Sequence, residues 1–547
     1  TTAFGYQAGG AATGSRGVYV GYRAGRGATS APYGSGLYNT AVGYEALEDF
    51  TTGHSNVAVG YGAGKDITTS HYNVLVGYDA GKSITSGNGR SVLIGTFAGD
   101  AQTTSDYNVA IGYLALTDNQ VGSDNVAIGG AAGGDLLGPE NVIVGTYAGD
   151  ALTTSSGSVV IGNNALTTAT TDKYGVAIGF EAMKLSPAGL ALETTIAIGY
   201  RAMYGAQATS GISGNVAIGS SAGYTITSGG NNVFLGYHAA YNVTAGSKNV
   251  IVGRHAGNKL ASGSSDTYIG YSAGYYATGS YNTFVGESAG LGGTTSAPFS
   301  SGQNNTALGY EALKGFTTAG SNVAIGVGAL LTHGTGDYNI AIGNRAMSDT
   351  DAGSNSLSST ENIFIGFYTG GGTWANTASN YNIGMGRYVM DAAMDGAEHN
   401  IGIGQYALTA LTEGDKNIAL GPTALGGVST GYSNVGIGDR AGVGVSTGHN
   451  NVAIGYLAGY GGNTSGNVAI GAETLFSCAA SSNVAIGYET ARFTTANDGV
   501  WVGANAGGTG TGGGQSVIVG YYAGRYIVGS QVVHVGRNAG YYATGSY

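Results

Sequence analysis

One short phrase recurs along the chain: a β-branched residue, a variable residue, a large apolar residue, then glycine. Val57-Ala58-Val59-Gly60, Val109-Ala110-Ile111-Gly112 and Val452-Ala453-Ile454-Gly455 are three copies, separated by polar stretches rich in Thr, Ser, Gly and Asn. Large-small-large alternation is the period of a strand, whose side chains point to alternate faces. β-Branching suits the pleat. The apolar run is too short, and glycine too frequent, for a helix. Each phrase is therefore predicted as a short strand, with Val57 and Val59 on the core side and Ala58 outward.

Indexed by its glycine, the phrase occurs 31 times, from Gly5 to Gly536, mostly 16 to 18 residues apart. The columns are specific. The residue three before the glycine is Val, Ile or Thr in every copy, and the residue three after it is Ala in 27 of 31. Asn stands four before it in 21 of 31, and Tyr follows it directly in 13. Such a fixed period marks a stacked-repeat architecture. Some seventeen residues hold two short strands and two turns but no crossover helix. The expected fold is all-β: a parallel β-solenoid, specifically a two-sided β-roll of about 31 coils, running through 1–547 as one continuous domain. A weaker second strand in each coil would turn its alanine, such as Ala63, inward. One coil cannot offset the entropy of ordering its residues, whereas a stack can. Stacked Asn side chains form amide ladders, and the Tyr column predicts a ladder of rings.

A longer period lies over the short one. Residues 30–64 and 296–330 match at 23 of 35 positions with an offset of 266. This gives one lap over about 1–266, a second over 267–532, and the start of a further lap at 533–547. A surface recurring at fixed distance is what lateral packing in a fibre requires.

Composition removes several functions. Only 9 % of residues are charged and the net charge is −11, with no basic stripe, so nucleic acid is not an expected partner. No run of 18 apolar residues occurs, so no membrane-spanning helix is expected. The one cysteine, Cys478, cannot cross-link the chain to itself.

The centre residue of the phrase is Ala in 15 copies and Gly in 3. Elsewhere it is mostly large and apolar: Phe234, Ile251, Tyr268 and Phe284 in four consecutive copies, then Trp501, Ile518 and His534 in three more. Read as outward, these residues form an apolar stripe and predict a self-association face, hence a homo-oligomer or polymer.

Chemistry is sparse. His54 and His71 share a column one coil apart, as do His238 and His255. Each pair is a candidate metal site, though no third ligand stands at matching spacing; the alternative is solvated side chains. Glu473 and Glu489 also stack, in a column that elsewhere carries Arg23, Arg201 and Arg440. No cofactor motif is present, no catalytic residue is assigned, and an enzyme is not expected.

The phrase "NVAIGYLAG" at 451–459 and its relative "NTALGYEAL" at 305–313 resemble the head repeats of trimeric autotransporter adhesins, the YadA-like heads, and the "NTAIGY" arrays of phage tail fibres. The resemblance implies a left-handed parallel β-roll on a cell or virion surface, used for attachment. Two functions follow as expectations. One is a structural extracellular or virion fibre that self-associates. The other is an adhesin or receptor-binding fibre that contacts a host glycan or matrix protein through its turns, with the insertions at 26–39, 291–305 and 348–362 as binding loops.

Overall fold

A computed structural model describes residues 1–31, 33–186, 193–205, 212–350, 358–512 and 514–545. The chain is a parallel β-solenoid. Each of the 31 phrases is a strand of three residues, from β1 (Thr2–Phe4) to β31 (Val533–Val535), and no α-helix occurs among the described residues. Two compact units divide it, Thr1–Tyr268 and Ile269–Tyr547. Within the first unit, strands pair in chain order from β1 to β15 (Val250–Val252). Within the second they do so from β17 (Thr283–Val285) to β31. Register is strict. Val109, Ala110 and Ile111 pair with Val126, Ala127 and Ile128, so every column of the repeat is a column in space.

The glycine of the phrase bends the chain after each strand. Its φ lies between +123° and +145° in all 31 copies, a region that L side chains rarely adopt. Beyond it the chain does not form a second strand. Positive φ recurs at non-glycine residues two and four after the glycine, as at Glu45 (+54°) and Leu47 (+48°). This alternation makes a chain of turns, not a pleat, and it also sends consecutive amides in opposite directions. Gly62 N–H donates back to Tyr44 O at 2.9 Å, and Gly64 N–H donates forward to Ala80 O at 2.9 Å. Coils thus stay hydrogen-bonded to their neighbours without a second sheet. Ala63 faces the core as expected, but from a turn.

The strands are inverted relative to the sequence expectation. In Val126-Ala127-Ile128 the centre residue is buried and both flanking residues reach solvent. The same holds from β2 (Val18–Val20) through β30 (Val517–Val519). Phe234, Ile251, Tyr268, Phe284, Trp501 and Ile518 are therefore fully buried core residues and form no outward face. The reason is the asparagine column. It lies two residues before the centre, on the same side of the strand, and its amides are spent inside the solenoid. Asn125 is fully buried; its Oδ1 accepts the backbone N–H of Asn141 at 2.9 Å, and its Nδ2 donates to Gly138 O at 2.9 Å.

The interior is too narrow for two large side chains at one level, so volume is traded between the strand centre and the position six residues later. Large centres face glycine: Tyr19 with Gly25, Phe284 with Gly290, Phe364 with Gly370, Trp501 with Gly507. A Cβ on any of these glycines would run into the ring opposite. Many small centres face Leu or Met, as Ala110 does Leu116, Ala177 Met183 and Gly402 Leu408. Where a small centre faces glycine, as Ala58 does Gly64 and Ala127 Gly133, side chains of adjacent coils reach in: Leu47 and Leu75 at the first, Leu116 and Ile143 at the second. Two such levels are consecutive, Gly436 with Gly442 and Ala453 with Gly459, and an internal cavity lined by Leu425, Gly442, Ala453 and Gly459 lies there. Gly459 has φ +60°, close to that of Leu47 and Leu116 in the same column, and a Cβ there would meet Ala453 Cβ at 3.4 Å, Gly442 Cα at 3.9 Å and Ala469 Cβ at 4.0 Å, all ordinary contacts. Gly459→Leu is expected to raise unfolding free energy by about 1–2 kcal/mol, since burial of the side chain outweighs a left-handed backbone that the other leucines of the column already adopt. A lower urea midpoint for this variant would contradict the volume rule.

Candidate interaction face

With the centre residue inside, two flanking columns form the outer surface of the strands. One is Val, Ile or Thr throughout. The other is Phe, Val, Ile, Leu or Met throughout. None of these 31 strands carries a charge at either flank. Val57 and Val59 are 36 % and 37 % exposed, Ile128 38 % and Val142 37 %, at the more exposed end of a face whose other flanks are mostly half-buried. Exposed apolar surface of this extent is rare on a monomer and marks a contact surface.

A ladder of rings borders the face. Tyr6, Tyr22, Tyr44, Tyr61 and Tyr78 stack with centroids 4.8–5.3 Å apart and planes within 15°. The pitch matches the spacing of the coils. Stacking turns the ring faces toward one another and leaves edges and hydroxyls outward, a poor platform for a sugar ring. The opposite border is polar: Arg90 lies over the rings of Tyr72 and Tyr107, at 5.6 and 5.1 Å. Asp124 and Glu140 occupy the same column further on.

The sequence-derived metal candidates are brought together only in pairs. His54 and His71 stack face to face, 4.2 Å apart, with Tyr72 edge-on to both. His238 and His255 meet edge to face at 5.4 Å. Burial pushes His71, His238 and His255 below the ordinary imidazole range, assisted by Arg90 at His71 and Arg254 at the other two. No group of three or more His, Cys, Asp or Glu side chains suited to a metal ion occurs among the described residues. Glu473 and Glu489 share a cation: Arg492 lies 2.6 Å from the first and 3.6 Å from the second, the geometry of an ion-pair clamp. A larger cluster lies beside the insertion at 26–39. There Arg26 is 2.9 Å from Glu48, and Lys65 bridges Glu45 at 2.6 Å and Glu48 at 3.4 Å. Pro32 of that insertion, and residues 351–357 of the insertion at 348–362, lie outside the described residues.

Two buried titratable groups escaped sequence reasoning. His333 is fully buried in the core column seven residues after the glycine, which elsewhere carries Phe50, Ile67 or Leu136. Its Nε2–H donates to Gly336 O at 3.0 Å, which leaves Nδ1 to accept the Thr350 hydroxyl at 3.1 Å. Burial lowers its pKa to about 4. Asp172 occupies a gap in the asparagine ladder: position 175 is glycine, and a Cβ there would collide with the Asp172 carboxylate, which fills the vacant slot. Burial raises its pKa to about 6, against the opposing hydrogen bond from Ser158.

The two act in opposite directions on stability. Between the unfolded pKa of about 6.5 and the folded value of about 4, His333 takes up a proton only on unfolding. Acidification through that window should cost up to about 3 kcal/mol. Asp172 is protonated in the fold but not in the unfolded chain between about 6 and 3.8, so acidification there stabilises. Urea titrations at pH 7 and 5 are expected to show His333→Ser losing less stability on acidification than the parent. Asp172→Asn should gain less from it. Equal pH responses in all three proteins would refute the assignment.

No family model matches the chain, and no curated protein matches it.

Proposed function

We propose that this is a structural, fibre-type protein of a cell or virion surface that builds assemblies with further copies of itself. The β-solenoid is compatible with such a role, since each coil is held to the next by backbone, asparagine and tyrosine ladders in strict register. The carrying observation is the uncharged outer face: two apolar columns, repeated strand after strand without a charge. The resemblance of "NVAIGYLAG" to YadA-like heads and tail-fibre repeats agrees with this role and with an extracellular setting. Negative-stain electron microscopy of the purified chain across a concentration series is expected to show bundles or filaments. Isolated particles at every concentration would rule the reading out.

The second reading, an adhesin or receptor-binding fibre, draws on the insertion at 26–39. Tyr33, Leu37 and Tyr38 are 54 %, 40 % and 50 % exposed there, beside the ion-pair cluster. Binding to a glycan array or to matrix proteins, abolished when the three residues are changed to serine, would favour it.

A further inference from the structure

Resting on the reading of a self-associating structural protein, we propose that the outward strand face pairs with the same face of a second copy of this chain. The two β-branched columns of one molecule lie against those of the other. Three features select this occupant. First, the face is corrugated at the coil spacing of roughly 4.8 Å, with the same side-chain types at every step. A surface of that period is matched by another with the same period, and the second copy supplies it. Second, the area suffices. Fifteen strands in each unit present two partly exposed flanks. A standard interface needs about 800 Å² per partner, or roughly 27 Å² from each of these side chains, which a valine about a fifth exposed supplies; Val57, Val59, Ile128 and Val142 exceed that. Third, the border is polar: Arg16, Arg90, Asp124 and Glu140 stand just outside the first flanking column. An apolar centre with polar groups at its margin, here tyrosine hydroxyls on one side and these charges among Ser, Asn and Tyr on the other, is the anatomy of a protein–protein contact.

The test is the mass in solution, by light scattering and sedimentation, of the full chain and three variants. The parent is expected at twice the chain mass or a multiple of it. Ile111→Lys, Ile128→Glu and Val144→Lys in the first unit, combined with Ile403→Lys, Leu420→Glu and Ile437→Lys in the second, put alternating charges on three adjacent coils of each strip. They should weaken pairing at least a hundredfold while the far-UV spectrum stays unchanged. Threonine at the same six positions covers the case in which the charged set fails to fold. Threonine stands in the other flanking column of this face, at Thr40, Thr283 and Thr306, and is β-branched, so these changes suit a strand, and about tenfold weakening is expected. Thr52→Lys, Thr69→Glu and Thr104→Lys, on the exposed turns, should leave the mass as it was. Association that survives both face variants overturns the pairing surface but leaves the fibre reading standing. A parent monomeric at tens of micromolar overturns both.

Discussion

Alanine at Gly112 is expected to be among the most damaging single substitutions, costing at least about 4 kcal/mol of unfolding free energy. Two penalties add. Gly112 has φ +142°, where an L residue is strained by roughly 1–3 kcal/mol. Its new Cβ would also overlap the carbonyl oxygen of Gly129 in the next coil, a backbone atom that cannot rotate away. Relief requires these two coils to part, and this breaks the hydrogen bond from Val109 N–H to Asn125 O (2.8 Å) and that from Gly129 N–H to Ile111 O (2.8 Å). Gly130→Ala is the matched control. It lies one coil on, at negative φ, where a Cβ would meet only Thr146 Cγ2 at 3.7 Å. It is expected to stay within about 0.5 kcal/mol of the parent. Urea unfolding of the two variants side by side separates a backbone requirement from mere glycine content.

Asn125→Leu is expected to cost about 3–5 kcal/mol although it adds apolar volume to a buried site. The amide of Asn125 accepts from the N–H of Asn141 and donates to Gly138 O. Leucine leaves the Asn141 N–H buried without its acceptor and Gly138 O with only a long contact of 3.4 Å from Asn141 Nδ2, at about 1–3 kcal/mol each. The branched side chain must also fit a slot shaped for a planar amide, whereas Asn141 Nδ2 keeps Pro139 O at 2.9 Å and Ser155 O at 3.0 Å. Asn125→Ser should be far milder, about 1–2 kcal/mol. The chain makes this exchange itself at Ser91, whose Oγ accepts from Asn108 N–H at 3.2 Å. Hydrogen exchange at the Asn141 amide gives a local reading: fast in the leucine variant, and close to the parent in the serine variant.

Much of this architecture was legible in the residues. The spacing of the glycines gave the coil, and the in-register columns followed from it. The Asn and Tyr ladders could be drawn before any coordinate. The side of the strand could not, because the rule that the larger of two alternating residues points inward was applied to strands whose inward side is set by the asparagine column. Val57 and Val59 look like core and Ala58 like surface, yet Ala58 points inward on the side of Asn56, and the two valines reach solvent. Two signals in the sequence point the right way. Asn shares a face with the centre residue, and a polar ladder that must be satisfied belongs inside. The reciprocal pairs Tyr19–Gly25 and Trp501–Gly507, against Ala110–Leu116, are volume compensation across a core, which outward residues have no reason to obey. The second strand was misjudged because alternating positive φ at residues such as Glu45 and Leu47 leaves no mark in hydrophobic pattern. The candidate face was missed for the same reason as the core, since each is the complement of the other.

The most direct measurement compares Val126→Lys with Ala127→Lys, adjacent residues of one strand, by far-UV circular dichroism and urea unfolding at low protein concentration. Val126 reaches solvent and Ala127 is sealed inside. Lysine at 126 is therefore expected to leave a cooperatively folded protein within about 1 kcal/mol of the parent. Lysine at 127 buries an unpaired charge and is expected to cost more than about 4 kcal/mol or abolish folding. The reverse order, with 127 tolerant and 126 intolerant, would place the valine and isoleucine columns inside and overturn the arrangement of core and face described above.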